Sequence, residues 1–208
     1  MSRPPENSLR LPTGYDCHLS IDLKKDRVFN RWVRAVFLGV AVAAVAAALG
    51  LNFPLETAWS PWVSVPVTVL AVLFYFSAHE ATHGLALRGR TGIRPSYAFA
   101  FPFLTTGSPA YLNRGSTAFV ALAPRLAWGV LLLAAFLLAP ADVRLTLYVL
   151  LALNFAGSGG DYAEAALALR QPPEALIRDD GAEIGVFLPA GGHSPAEAQA
   201  ADADRRPQ

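Results

Sequence analysis

Residues 62–84 read WVSVPVTVLAVLFYFSAHEATHG, a long uncharged run that ends in two histidines and a glutamate. A run of this length and composition predicts a helix that crosses a membrane. Ionisable side chains at bilayer depth cost roughly 2.5–3.5 kcal/mol each, so His79, Glu80 and His83 are candidates for a function. Three such groups within five residues need a compensating partner, and a metal ion suits them best.

These three residues form an H-E-x-x-H motif. His79 and His83 are four residues apart, so their side chains lie on one face of a helix, about one turn from each other. Two imidazoles placed in this way can bind one Zn²⁺. The intervening Glu80 can then act as a base toward water that the metal activates.

The composition indicates a multi-pass membrane protein. Of the 208 residues, 53% are hydrophobic and only 16% are charged, whereas charged residues make up about 25% of soluble domains. The apolar residues form several long blocks, which favours separate membrane spans over one large soluble core. The net charge is +1, and the sequence contains no extended basic cluster suited to nucleic acid. Nucleic acid is therefore not an expected partner.

The cysteine and histidine counts restrict the metal chemistry. The single cysteine, Cys17, excludes an internal disulfide framework and a cysteine-rich zinc site. Four histidines are too few for the histidine boxes of a di-iron hydroxylase or desaturase, a rival enzyme class that the His79–His83 spacing also fits. Zn²⁺ is therefore the expected cofactor.

Four apolar segments predict an all-α polytopic membrane protein with about four transmembrane helices. We place them at residues 35–53, 62–87, 116–138 and 145–169. Between helices two and three, residues 97–104 alternate large and small side chains, which is typical of a strand. We therefore predict a short β-hairpin or re-entrant segment within residues 93–115, beside the site. The alternative is an aromatic loop on the membrane surface.

The flanking segments complete the predicted organisation. Residues 1–34 are expected to form an N-terminal tail with an amphipathic interfacial helix over residues 15–34, and residues 35–170 the four-helix membrane domain. Residues 171–208 are expected to form a C-terminal tail, ordered only within 175–189 and largely disordered after 190. Clustered Arg and Lys place both termini in the cytoplasm, with the chain in the plasma membrane.

A catalytic zinc usually has three protein ligands and one open position, so a third ligand is needed. His79 lies nine residues before Arg88, and Asp161 lies nine before Arg170. If spans two and four both run toward the cytoplasm, the two side chains sit at the same depth, roughly 14 Å from the arginines. Asp161 is the expected third ligand, and Glu164, about one turn further on, is the alternative.

Two further polar residues are candidates at comparable depth. Asn154 lies seven residues before Asp161 and shares its helix face, so it is expected either to bind the substrate carbonyl or oxyanion, or to bond between helices. Arg125 in span three is expected either to pair with Asp161 or Glu164, or to stabilise developing negative charge.

Taken together, these motifs resemble those of the intramembrane zinc metallopeptidases of the site-2-protease type. Among them, the chain is most similar to the small bacterial multi-pass proteins called putative zincin peptidases. The resemblance implies that His79 and His83 are ligands, Glu80 the catalytic base and Asp161 the third ligand. The second motif departs from the site-2-protease pattern, because Asn154 lacks the usual proline after it and Gly160 precedes Asp161 where leucine is usual.

The resemblance implies a zinc-dependent metalloprotease that hydrolyses membrane-anchored proteins near the cytoplasmic face. Its expected partners are the lipid bilayer and a transmembrane or membrane-anchored substrate. The alternative is a non-catalytic membrane scaffold or metal-binding protein that retains the motif.

Overall fold

The computed structural model describes residues 5–100 and 103–191, so the predicted disorder after residue 190 falls almost wholly outside the described residues. The described chain contains five helices and six strands. The helices are α1 Arg27–Gly50, α2 Pro61–Thr91, α3 Arg114–Leu138, α4 Ala141–Gly157 and α5 Gly159–Arg170. The strands are β1 Tyr15–Asp22, β2 Ser96–Ala100, β3 Phe103–Gly107, β4 Leu112–Asn113, β5 Leu176–Asp179 and β6 Glu183–Pro189.

Four helical segments are long and apolar enough to cross a membrane, as the sequence predicts. They are α1, α2, α3 and the combined α4–α5 segment, residues 141–170. Local caps fix several of their ends. Asp26 accepts a hydrogen bond from the Phe29 N–H at the start of α1, at 2.7 Å, and Asn113 accepts one from Ser116 at the start of α3, at 2.9 Å. Gly92 ends α2 in the left-handed conformation that glycine tolerates best (φ 73°).

The fourth span is interrupted at Ser158, between α4 and α5. A Cβ added at Gly159 would lie 3.2 Å from the Val33 side chain and the Val33 carbonyl oxygen of α1, so glycine permits the close approach of that helix. The glycine-rich stretch before Asp161 therefore makes room for α1.

Helix α3 lies at the centre of the bundle and packs against α2, α4 and α5. Helices α3 and α5 can approach closely because the buried side chains between them are small: Ala118 and Ala121 of α3 and Ala165 of α5. Consequently, α3 holds the motif-bearing α2 and the Asp161-bearing α5 in the same part of the molecule.

The segment between α2 and α3 forms the predicted β-hairpin. Strands β2 and β3 pair in antiparallel fashion, with Tyr97 opposite Thr106 and Ser96 opposite Gly107. Strand β3 lies against α2. The hairpin is therefore next to the helix that carries the H-E-x-x-H motif.

The structure also contains a sheet that the all-α prediction omits. Four antiparallel strands are arranged in the order β1-β6-β5-β4. The predicted amphipathic helix is wrong for residues 15–22, which form β1, and helix begins only at Arg27. The larger or more apolar side chains of this segment occupy every second position, at Tyr15, Cys17, Leu19 and Ile21, and polar residues lie between them. This period of two favours a strand.

The sheet brings distant parts of the chain to one end of the helical bundle. Strand β1 pairs with β6, and β5 pairs with β4 at the start of α3. Ile177, Ile184 and Val186 form a buried cluster with Ala168 near the end of α5. The N-terminal strand, the α2–α3 connection and the C-terminal hairpin thus share one end, in keeping with an even number of spans between the termini.

Candidate metal centre

The two motif histidines and Asp161 come together in the structure. His79 and His83 lie one turn apart on α2, with ring centroids 5.1 Å from each other. The Asp161 carboxylate faces both, with one oxygen 3.3 Å from His79 Nε2 and the other 3.4 Å from His83 Nε2. All three side chains are largely buried, with 11%, 14% and 18% of their surface exposed, respectively.

This geometry fits a zinc ion. Ligand atoms about 2.0–2.2 Å from a tetrahedral zinc lie roughly 3.3–3.6 Å from one another. The two nitrogen–oxygen distances, which involve different oxygens of Asp161, each fall in that range. Taken with one potential ligand atom per residue, the three atoms lie within 4.8 Å of one another. The donor set of two imidazoles and one carboxylate is one that zinc accepts, with a fourth position left for a reactant.

Each histidine turns its Nε2 atom toward Asp161 because its Nδ1 atom has a partner elsewhere. His83 Nδ1 lies 3.0 Å from the Val120 carbonyl of α3. Pro124, four residues after Val120, has no N–H, so that carbonyl lacks its usual helical donor. The proline in span three therefore frees the acceptor that orients His83. His79 Nδ1 lies 3.1 Å from the Tyr75 hydroxyl.

Glu80 is held by the hairpin. Its Oε2 accepts a hydrogen bond from the Thr106 backbone N–H at 3.0 Å, and its backbone carbonyl accepts one from the Thr106 hydroxyl at 2.7 Å. Its Oε1 has no hydrogen-bond partner among residues 5–100 and 103–191. One carboxylate oxygen is thus anchored while the other is available to a bound molecule.

A cavity of about 200 Å³ opens beside these residues. Glu80, His83 and Asp161 line it together with two further carboxylates, Glu164 and Asp179. The end of β3, residues 105–107, forms another part of the wall. Glu80 and two of the candidate ligands, His83 and Asp161, therefore share one space that a substrate can enter.

Glu164, the alternative third ligand, occupies a different position from Asp161. It lines the cavity but does not belong to the group formed by His79, His83 and Asp161. The structure therefore favours Asp161 over Glu164 as the residue that completes the histidine pair.

Asn154 lies behind the histidines and is wholly buried. Its Oδ1 accepts a hydrogen bond from the Tyr75 hydroxyl at 2.8 Å, and its Nδ2 donates to the Arg125 backbone carbonyl at 3.1 Å. Both ends of the amide are engaged within the protein. Of the two predicted roles, the interhelical hydrogen bond is the one observed.

The Arg125 side chain does not form the expected pair with Asp161 or Glu164; within the described chain, no ion pair joins it to either. Its guanidinium carbon lies 4.9 Å from the centroid of the Tyr162 ring instead, in a cation–π contact. Its Nε is buried and has no hydrogen-bond partner among the described residues. The predicted ion pair is wrong because equal depth does not fix the direction in which a side chain leaves its helix. The alternative role, stabilisation of developing negative charge, stays a prediction.

Asp179, at the end of β5, is a cavity residue that the sequence analysis missed. Burial raises the pKa of its carboxyl to about 6; the Gly181 N–H, which donates to Oδ1 at 2.8 Å, opposes that shift, and the nearby Asp180 adds to it. The raised pKa means that ionisation of Asp179 weakens the folded state.

Asp179→Asn is expected to stabilise the protein at pH 8. Protonated Asp179 contributes to the free energy of unfolding. This contribution is fully present below the unfolded-state pKa of 3.8 and is lost as the pH rises through the folded-state pKa of about 6. Asparagine keeps the oxygen that Gly181 binds but does not ionise. The gain at pH 8 should be at most about 3 kcal/mol, and it should shrink toward zero as the pH falls to 4. Thermal melting in detergent with excess chelator measures it.

Asp180→Asn is the matched control for that experiment. Burial raises the pKa of Asp180, but hydrogen bonds from the Ala182 N–H and from Arg178 outweigh burial and lower it. This variant should therefore lower the Tm at pH 8. A lower Tm for Asp179→Asn at pH 8 would contradict the assignment of a buried, unfavourable charge to Asp179.

Two more residues of the site escaped the sequence analysis. Thr106 is one position of an alternating strand, and nothing in the pattern marks its contact with Glu80. Tyr75 carries a usable signal, because it lies four residues before His79 and so shares its helix face. Its position inside the uncharged run concealed that signal.

The comparisons with known proteins identify a family for this chain. Residues 72–176, about half of the chain, match the protein family described as "Putative zincin peptidase". The matched range includes both motif histidines, Glu80 and Asp161. No curated protein and no solved structure matches the chain.

Proposed function

Because this chain belongs to the putative zincin peptidase family, we propose that it is a zinc-dependent metalloprotease that cleaves membrane-anchored proteins within the bilayer. Family membership itself suggests a zinc metallopeptidase. The intramembrane site, the site-2-protease type of mechanism and the substrate class are the parts that we add.

One observation carries the proposal: a carboxylate suited to act as a base faces the same cavity as two of the three candidate zinc ligands. Glu80, His83 and Asp161 all line it. They project from helices α2 and α5, within two segments apolar enough to cross a membrane. A site for hydrolysis buried between such helices is suited to substrates that are themselves in the membrane.

The residues have distinct roles in the proposed reaction. His79, His83 and Asp161 would hold Zn²⁺, which when bound polarises the scissile carbonyl and makes water nucleophilic near neutral pH. Glu80 takes a proton from the attacking water and passes it to the nitrogen of the leaving amine. The Thr106 N–H on Oε2 keeps the Glu80 carboxylate in a fixed orientation during both transfers.

The hairpin is suited to presenting the substrate. The peptide bonds of a helical substrate are engaged in the helix, so the segment to be cut must unwind and find new hydrogen-bond partners. Strand β3 contributes residues 105–107 to the cavity wall. We propose that the β2–β3 hairpin offers a strand edge along which the unwound segment binds.

We also propose that the sheet-bearing end of the bundle faces the cytoplasm. That end carries the N-terminal flank, the α2–α3 connection and the C-terminal flank, where Arg and Lys are clustered. Water would then reach the cavity from the cytoplasmic side of the plasma membrane.

The proposal is tested by searching for new protein N-termini in native membranes. Membranes from cells that lack this protein are incubated with the purified wild type or with Glu80→Gln, and new N-termini are labelled and identified by mass spectrometry. We expect new N-termini inside or next to apolar spans with the wild type only. Identical sets from the two proteins would indicate a metal-binding or scaffold protein without proteolytic activity.

A further inference from the structure

The His79 side chain is the first member of a buried hydrogen-bonded chain that runs away from the metal centre. His79 Nδ1 meets the Tyr75 hydroxyl at 3.1 Å, and that hydroxyl meets Asn154 Oδ1 at 2.8 Å. Asn154 Nδ2 in turn meets the Arg125 carbonyl at 3.1 Å. The chain joins α2, α4 and α3, and no hydrogen bond links Tyr75 or Asn154 to Asp161.

The direction of every hydrogen bond in this chain follows from its far end. The Arg125 backbone carbonyl can only accept, so the NH₂ group of Asn154 must face it and the amide oxygen must face Tyr75. The Tyr75 hydroxyl has one proton, which it donates to that oxygen. Its own oxygen can therefore only accept from His79, which places the imidazole proton on Nδ1 and leaves Nε2 with a free lone pair.

Burial makes this arrangement rigid. Tyr75 is 3% exposed and Asn154 is 0% exposed. The Tyr75 ring packs edge-on against Trp128, with centroids 5.9 Å apart. Gly129 leaves room for the amide, since a Cβ there would lie 3.2 Å from Asn154 Nδ2. Water is therefore a poor substitute for the Tyr75 hydroxyl at this position.

We infer that Tyr75, anchored by Asn154, is a positioning residue that fixes His79 in the tautomer and orientation that bind Zn²⁺. The Val120 carbonyl does the same for His83. Partners that bind the second ring nitrogen of a metal-ligating histidine typically change metal affinity about 10- to 100-fold when they are removed. The inference rests on the zinc site of the proposed function, and it assigns the buried amide a part in metal binding rather than in substrate binding.

Tyr75→Phe tests the inference because it removes only the hydroxyl and keeps the ring against Trp128. Zinc affinity is measured by competition with a chromogenic chelator, on purified full-length protein. We expect zinc to bind about 10- to 100-fold more weakly in this variant. The d–d absorption of the Co²⁺-loaded protein should also change, since it reports the geometry at the metal.

Tyr148→Phe is the matched control. Its hydroxyl donates to the Ala44 carbonyl at 2.6 Å and joins α4 to α1, so it is also an interhelical hydrogen bond but has no contact with a histidine. Its zinc affinity should equal that of the wild type. A loss as large as that of Tyr75→Phe would show that any broken interhelical bond weakens zinc binding, and would overturn the inference.

A double-mutant cycle with Asn154→Leu adds a second check. If Asn154 acts through Tyr75, the zinc affinity of the double variant should be no lower than that of whichever single variant, Tyr75→Phe or Asn154→Leu, binds zinc less tightly. Additive losses of zinc affinity would show that Tyr75 and Asn154 do not act through one hydrogen-bonded chain. An unchanged zinc affinity in Tyr75→Phe would contradict the whole inference, and so would a wild type that binds no zinc. These experiments measure metal binding and not proteolysis. A protein that shows the expected zinc affinities but cleaves no substrate would therefore refute only the proposed function.

Discussion

Asp161→Ala is expected to weaken zinc binding by at least about 100-fold, because it removes one of three protein ligands, a larger loss than that of a residue acting through a ligand. The Asp161 carboxylate is the group that joins the two histidines, at 3.3 and 3.4 Å from their Nε2 atoms. Without it, two imidazoles on one helix remain. Zinc per chain after dialysis and chelator competition measure the loss.

Glu164→Ala is the matched control for that experiment. Glu164 is an acid of the same helix and the same cavity but lies outside the group of candidate ligands. We expect this variant to retain zinc with an affinity within about 10-fold of the wild type. The assignment of Asp161 would be wrong if Glu164→Ala lost its zinc while Asp161→Ala kept it.

Glu80→Gln is expected to separate metal binding from catalysis. Glutamine has nearly the same size, and its amide oxygen can still accept the hydrogen bond from Thr106, but it cannot take a proton from water. We expect cleavage to fall about 10²- to 10⁴-fold, the range typical of a lost general base, with the zinc content unchanged. Initial rates on one reconstituted membrane-anchored substrate, with zinc measured on the same samples, give both quantities.

Glu174→Gln serves as the control for the base. Glu174 is exposed and lies in the turn before β5, away from the cavity residues. Its cleavage rate should match that of the wild type. Full activity in Glu80→Gln would remove Glu80 from the reaction and would leave the proton transfers without a residue to perform them.

The parts of the fold that the sequence predicts are those encoded by local patterns. Long uncharged runs predict the four spans, and alternation over residues 97–104 predicts the hairpin. The interruption of span four at Ser158 lies within its glycine-rich residues 157–160. Each of these signals is contained within one segment and needs no knowledge of what the segment packs against.

The four-stranded sheet was missed because its partners are far apart in sequence. Strand β1 alternates from Tyr15 to Ile21, but the basic residues that follow it are equally typical of an interfacial helix. Its partner is β6, with Tyr15 opposite Pro189. The Asp180-Gly181 dipeptide is a usable hairpin signal for the β5–β6 pair.

The site shows what depth along a helix can and cannot predict. Equal spacing from Arg88 and Arg170 placed His79 and Asp161 at one level, and the structure brings them together. The same reasoning misplaced the Arg125 side chain, which turns toward Tyr162. Distance along an axis follows from residue number, whereas rotation about that axis depends on packing between helices.

The orientation of the histidines depends on features that only the folded chain brings together. Pro124 frees the Val120 carbonyl for His83, and Tyr75 with Asn154 provides the partner for His79. The proline and the asparagine are both visible in the sequence as polar or irregular positions in apolar spans. Their contacts with α2 become evident only from the packing of α3 and α4 around it.

Zinc titration with two simultaneous readouts tests the central claim most directly. Purified wild-type protein is stripped with a chelator, reconstituted with a membrane-anchored substrate, and supplied with increasing zinc while bound metal and cleavage rate are both measured. We predict no cleavage without zinc, a rate that rises in proportion to bound zinc, and saturation of both at one zinc per chain. Cleavage that persists in the stripped protein, or a chain that binds no zinc, would contradict the account.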